Sequence, residues 1–80
     1  MPNITIEYFA ILREQRGVSR EKLQTDAATP ADLYQALRAR HGFTLPGDRV
    51  RAAVNGAFVE SAETLHDGDE VVFIPPVAGG

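Results

Sequence analysis

The run Glu70-Val71-Val72-Phe73-Ile74, continuing into Pro75-Pro76-Val77-Ala78-Gly79-Gly80, decides how this chain is read. In an extended segment Val71 and Phe73 share one side and Val72 and Ile74 the other, so both faces are apolar. That pattern predicts a central strand with something covering its second face. Two prolines then stop it, because proline has no N–H to give a ladder and its φ is fixed. The residues beyond them carry almost no side chain. One reading is a frayed terminus, the ordinary behaviour of a chain end. The other is a slender arm whose terminal carboxylate is the working group. The division predicted is one domain over 1–74 and a flexible tail over 75–80.

A second strand must lie beside the first for this to be a centre. Asn3 to Phe9 supplies it by alternation, with Ile4, Ile6 and Tyr8 on one side and Thr5, Glu7 and Phe9 on the other. Phe9 is the odd member. Either the strand ends there and the ring turns inward, or it is an exposed apolar anchor. Ala10 to Arg16 favours a short helix closed by Gly17, and Val18 to Thr25 reads as a weaker strand returning in a hairpin, with Val18 and Leu23 as its apolar members.

Thr29-Pro30-Ala31-Asp32 opens the main helix: an N-cap threonine, proline at N1 and an acid near the positive end of the dipole. Leu33, Ala36, Leu37 and Arg40 form the stripe, Tyr34 and His41 flank it, and Gly42 stops the helix. His41 is read as a surface residue, or as one partly charged against the helix C-terminus. Phe43 and Leu45 tuck under the helix. Arg51 to Val54 is a strand, Asn55-Gly56 the strongest hairpin turn in the chain, and Ala57 to Val59 the return. Ser61 to Leu65 is a connector with room for one helical turn. Asp67-Gly68-Asp69 is a turn, since it lacks the ordered oxygen ligands and closing glutamate of a calcium loop.

Strand, strand, helix, strand, short strand, strand is the order of an α+β β-grasp domain: a mixed sheet packed on one main helix. One helix covers one face. The other would show Phe9, Phe58, Val72 and Ile74, a patch that small monomers rarely leave bare, unless some of these side chains fold over an edge.

Composition bounds the rest. Eighty residues with 44% hydrophobic and 24% charged side chains make a single small globular domain. The net charge is −3, and the eight basic residues are interleaved with acids, which argues against nucleic-acid or membrane partners. The sequence has no cysteine. That excludes a thiol nucleophile, a persulfide or a thiolate metal site on this chain, and it fits a reducing, cytoplasmic compartment.

Four segments carry a family resemblance: Tyr8-Phe9-Ala10-Ile11-Leu12-Arg13-Glu14, Ala52-Ala53-Val54-Asn55, Asp67-Gly68-Asp69-Glu70-Val71 and Phe73-Ile74-Pro75-Pro76-Val77-Ala78-Gly79-Gly80. With them the chain resembles the small, sulfur-carrier subunits of molybdopterin synthase, a ubiquitin-like β-grasp family. The resemblance implies that the protein is no enzyme on its own. It implies that an E1-like adenylating enzyme uses ATP to activate the Gly80 carboxylate, and that a sulfur donor system converts it to a thiocarboxylate. The tail then enters the synthase large subunit, where sulfur passes to a pterin precursor and builds the molybdopterin dithiolene. No cofactor or metal is expected on this chain.

Gly79 and Gly80, lacking Cβ atoms, suit passage through a narrow channel. Pro75, Pro76, Val77 and Ala78 would project the arm. At ~3.3 Å per residue the stretch beyond Pro75 reaches roughly 16 Å. Phe9, Phe58 and Ile74 would clamp the globular part to a partner, with Arg13 and Arg51 as flanking charges. A sulfur carrier for thiamine, tRNA thiolation or cysteine synthesis would use the same chemistry, and a non-sulfur interaction module or modifier would share the fold. The Phe-Ala-x-Leu-Arg-Glu and Pro-Pro-Val-x-Gly-Gly segments favour the synthase.

Overall fold

In the computed structural model, which describes residues 2–76, the elements run β1 (Asn3–Tyr8), α1 (Ala10–Arg16), β2 (Arg20–Gln24), α2 (Pro30–His41), β3 (Arg51–Val54), β4 (Ala57–Val59) and β5 (Glu70–Ile74). The five strands form one sheet of order β2-β1-β5-β3-β4. β1 and β5 lie parallel at its centre, with Ile6 opposite Val71 and Tyr8 opposite Phe73; the other pairings are antiparallel. The mixed sheet and single long helix are those expected of a β-grasp fold.

The core lies between the sheet and α2. From the central strands come Ile4, Ile6, Tyr8, Val71 and Phe73, each at most 1% exposed. Leu12 of α1 and Leu33, Tyr34 and Leu37 of α2 close over them, joined by Phe43 and Leu65. Tyr34 stands at the middle of an aromatic group, stacked on Phe43 at 5.8 Å and edge-on to Phe73 at 5.3 Å.

Two boundaries and one helix face differ from expectation. β2 begins at Arg20, leaving Val18 outside the strand and 39% exposed. Ser61 to Leu65 contains a turn, closed by the Glu63 N–H on the Glu60 carbonyl at 3.0 Å, and no helix. On α2 the buried residues are Pro30, Leu33, Tyr34 and Leu37, whereas Ala36 and Arg40 face solvent. The stripe is rotated because Tyr34 has a way to enter: its hydroxyl donates to the Leu45 carbonyl at 2.7 Å, so the ring is buried without orphaning its polar end. The helix ends behave as read. Thr29 Oγ1 accepts the Asp32 N–H at 3.1 Å, and Gly42 takes the left-handed C-terminal position with φ of 72°.

Asn55 and Gly56 have φ of 53° and 89°, both positive as a tight hairpin turn requires. The Asn55 side chain also does something a glycine could not. Its Oδ1 accepts the Glu70 N–H at 3.0 Å, and its Nδ2 donates to Asp69 Oδ1 at 2.9 Å. Asp69, only 9% exposed, takes a further bond on Oδ2 from the His66 N–H at 2.7 Å. Asp67 Oδ1 accepts the Asn3 N–H at 2.6 Å. The Asp-Gly-Asp turn is therefore a clasp joining the start of β1, the β3–β4 turn and the start of β5. Asp67 Oδ1 and Asp69 Oδ2 hold backbone N–H groups, and Asp69 Oδ1 holds the Asn55 amide.

Asn55→Gly keeps the turn conformation but removes both side-chain bonds, leaving the nearly buried Asp69 short of a partner. The expected loss is about 1–3 kcal/mol in denaturant unfolding, with no change in the slope of the transition. A loss near zero would show that the clasp is incidental.

Candidate functional site

The site is the place where β5 leaves the sheet. Ile74, its last residue, is half-buried and lies across from Arg51, the first residue of β3. Pro75 is still buried, and Pro76 is exposed. Val77, Ala78, Gly79 and Gly80, which carry the expected tail chemistry, lie outside the described residues.

The sheet's outer face behaves as its alternation demands. Val71 and Phe73 go to the core, and Val72 and Ile74 stand half-covered on the opposite side. Phe58, Ala53 and Val72 are successive cross-strand neighbours on β4, β3 and β5. Phe58 is 59% exposed. Ala53 is buried yet stands apart from the main core cluster, as expected of a small residue overhung by larger neighbours on the outer face. The Arg51 guanidinium lies over the Phe58 ring, its Cζ 4.4 Å from the centroid.

Phe9 reaches the same end of the sheet because β1 runs parallel to β5: Tyr8 is opposite Phe73, and the next residues are Phe9 and Ile74. Phe9 keeps an extended backbone (φ −126°, ψ 154°), and Ala10 then turns the chain into α1 with φ of 52°. For an L-residue with a Cβ that left-handed conformation costs on the order of 1 kcal/mol. The abrupt turn keeps Phe9 from following Tyr8 and Leu12 inward. The ring is 42% exposed, which decides between the two readings of Phe9 in favour of an exposed apolar group.

The outer face is thus divided. Over β5, β3 and β4 it offers Val72, Ile74, Phe58 and Arg51. Over β1 and β2 it carries Glu7, Arg20 and Lys22, with Arg20 Nη2 2.8 Å from Glu70 Oε1. That exposed pair contributes little to stability, but it marks where the apolar half ends.

A second charge cluster supports α1 from the core side. Glu21 of β2 points inward, where its Oε2 accepts the Tyr8 hydroxyl at 2.5 Å and the Arg16 Nε–H at 2.9 Å, while Oε1 accepts from Arg16 Nη2 at 2.7 Å. Arg16 thus grips the carboxylate with two bonds, and these, with the tyrosine hydroxyl, hold the Glu21 carboxyl down to about 2. Burial raises the Tyr8 hydroxyl far above its usual range, helped by its bond to Glu21. The cluster ties the end of α1 to β1 and β2, and so fixes the segment that begins at Phe9. His41 behaves unlike a helix-end cation: partial burial, then the nearby Arg16 charge, lowers its pKa.

None of these interactions makes a metal centre; no group of three or more His, Cys, Asp or Glu side chains comes together among the described residues. The functional partners that sequence reasoning missed are Glu21, hidden in a charged strand, and the stacking of Arg51 on Phe58. The latter had one signal, the Asn-Gly turn, which sets β4 in register beside β3.

A mixed sheet closed over one main helix, with an apolar outer face at the root of its C-terminal segment, defines a ubiquitin-like β-grasp protein. Comparison with known proteins goes further: residues 6–80 match the ThiS family model, and the chain belongs to that family. It is 38% identical to the molybdopterin synthase sulfur carrier subunit of Escherichia coli, covering 96% of this chain and 99% of that one. Among solved structures it is similar to a molybdopterin converting factor subunit 1 of Pyrococcus furiosus (TM-score 0.79, 33% identity, 96% of this chain and 100% of that one). It also resembles the small archaeal modifier protein 1 of Haloferax volcanii (TM-score 0.79, 26% identity, 96% and 100% covered).

Two outcomes are expected. Because Glu21 titrates near 4.5 when free of partners and near 2 in the fold, its contribution is full above about pH 4.5. It disappears as pH falls toward about 2, a loss on the order of 1–2 kcal/mol after screening by solvent. Glu21→Gln should be less stable at pH 7 and flatter on the acid side; parallel acid-unfolding curves for the two proteins would refute this. Phe9→Asp, whose side chain is already half in water, should leave the thermal midpoint within a few degrees of the parent, a shift of roughly 0.5 kcal/mol or less.

Proposed function

We propose that this chain is the sulfur carrier of a molybdopterin synthase and that its reactive group is the carboxylate of Gly80. The observation that carries this is the end-to-end match to a sulfur carrier subunit, at 38% identity and through 99% of that protein's length. A free carboxylate is a poor acyl donor, since its leaving group would be oxide. An E1-like enzyme would join Gly80 to AMP, with pyrophosphate leaving ATP. A sulfur donor would then displace AMP, forming the C–S bond as the C–O bond to phosphate oxygen breaks. The thiocarboxylate sulfur is the nucleophile delivered to the pterin precursor inside the large subunit. No cysteine on this chain competes for the activated acyl group.

In this reading the globular part presents the tail. Phe9, Phe58 and Ile74 dock on the large subunit and on the activating enzyme, Pro75 and Pro76 aim the arm, and Val77, Ala78 and Gly79 thread it. Preset prolines lower the entropy lost when the arm is ordered in a partner. The chain supplies sulfur as a carried reactant, and the catalytic groups belong to its partners. A cytoplasmic setting, where ATP and reducing conditions coexist, is supported by the absence of cysteine.

The likeness to an archaeal modifier protein favours one second reading, attachment of Gly80 to lysine amines. Intact mass spectrometry separates the two. After incubation with the cognate adenylating enzyme, ATP and a sulfur source, the carrier gains the mass of one sulfur in exchange for one oxygen. Deleting Gly79-Gly80 abolishes the gain. Accumulation of lysine-linked adducts without thiocarboxylate would establish the modifier instead. Mixing the loaded chain with the large subunit and pterin precursor should yield molybdopterin; failure there would assign the sulfur to another acceptor.

A further inference from the structure

The geometry points to Arg51 as the residue that selects the partner: a guanidinium set in advance on the Phe58 ring to receive a carboxylate from the synthase large subunit. This rests on the sulfur-carrier reading above. Three other arginines already have structural acceptors: Arg16 on Glu21, Arg20 on Glu70, and Arg38 on the Phe43 carbonyl. Arg13, Arg40, Arg49 and Arg51 make no side-chain ion pair or hydrogen bond among the described residues, and of these four Arg51 is the one that rests over an aromatic ring, that of Phe58, 4.4 Å from Cζ to centroid.

The position matters as much as the free donors. Arg51 is paired with Ile74, the last strand residue before the tail, and stands in the apolar half of the outer face with Val72 and Phe58. A partner that covers those side chains must also strip water from the guanidinium. Burying an unpaired charge is costly, so a surface without a matching acid is rejected, while one that brings a carboxylate gains a two-pronged bond. With its Cζ 4.4 Å from the ring centroid and no hydrogen-bond acceptor among the described residues, the guanidinium keeps N–H donors for a carboxylate. Stacking on the ring also restricts a side chain that would otherwise lose rotamer freedom on binding. Lysine offers neither the plane nor the fork.

The test is calorimetric binding of the full chain to the large subunit, for the parent, Arg51→Ala, Arg51→Lys, Arg51→Glu, Phe58→Leu and the Arg51→Ala/Phe58→Leu double variant, over a salt series. Arg51→Ala should weaken binding about tenfold and Arg51→Glu about thirtyfold or more, with Arg51→Lys recovering only part. Parent affinity should fall with salt more steeply than that of Arg51→Ala. Phe58→Leu should weaken the parent several-fold but add little once Arg51 is gone, the coupling expected of a stacked pair. Unchanged circular dichroism establishes that each variant is folded.

Binding of Arg51→Ala and Arg51→Glu within about twofold of the parent, or strictly additive effects of the two single changes, overturns the inference. If the parent itself neither binds the large subunit nor accepts sulfur on Gly80, the carrier reading fails and takes this inference with it. If the parent binds and loads while Arg51→Glu is unaffected, only the role of Arg51 falls.

Discussion

The parallel pairing of β1 with β5 is the constraint on which the rest of this structure depends. Parallel neighbours cannot be joined by a tight turn, so the whole of α1, β2, α2, β3 and β4 lies between them in sequence. The reward is burial: Ile4, Ile6, Tyr8, Val71 and Phe73 make the two strands the apolar centre of the sheet. The same pairing brings residue 9 and residue 74 to one end. An exposed ring from near the start of the chain and the root of the tail are therefore neighbours by topology, with no need of a long-range contact to place them.

That pairing has to be held in register, because a slip by one residue would send Val71 and Phe73 outward and Val72 and Ile74 inward. For β5, whose two faces are both apolar, hydrophobicity alone gives a weak preference. The clasp around Asp69 supplies the missing specification. The Asn55 amide grips the Glu70 N–H and the Asp69 carboxylate, the Thr5 N–H donates to the Asp69 carbonyl at 3.0 Å, and Asp67 receives the Asn3 N–H. These bonds tie β5 to β3 and to β1 at its first residue. Every later residue, Ile74 included, then falls on a fixed face.

The features legible in the sequence are those decided locally. Asn55-Gly56 specifies its own positive φ values, Thr29-Pro30 its own helix start, and the alternation of Ile4, Ile6 and Tyr8 its own buried side. The rotated face of α2 was hidden because burying Tyr34 depends on the Leu45 carbonyl, supplied by a loop that has no periodicity to read. His41 is half-buried, and its charge state is likewise set by the fold. Its helix end favours a cation, but partial burial and the Arg16 charge across the gap oppose one. Glu21 reads as one charge among several in a polar strand, and only the fold of α1 against β2 reveals it as the anchor of Tyr8 and Arg16. For the candidate site, the apolar identity of Phe9, Phe58 and Ile74 was readable from alternation. That Arg51 stacks on Phe58 required the register of two strand pairs.

The division of the outer face follows from what each half must do. Under the proposed function, in which an activating enzyme and an acceptor enzyme use the carrier in succession, the surface must be apolar enough to bind both and polar enough to let go. A wholly apolar face would serve association at the cost of release and solubility. Here Glu7, Arg20, Lys22 and Glu70 keep half the sheet hydrated, and Phe58, Val72 and Ile74 confine the apolar contact to the half from which the tail departs. Contact energy is then generated beside Ile74 and Pro75, where β5 leaves the sheet. Under the proposed function docking and threading become one event, since a surface that covers Ile74 stands beside the segment that ends in Gly80.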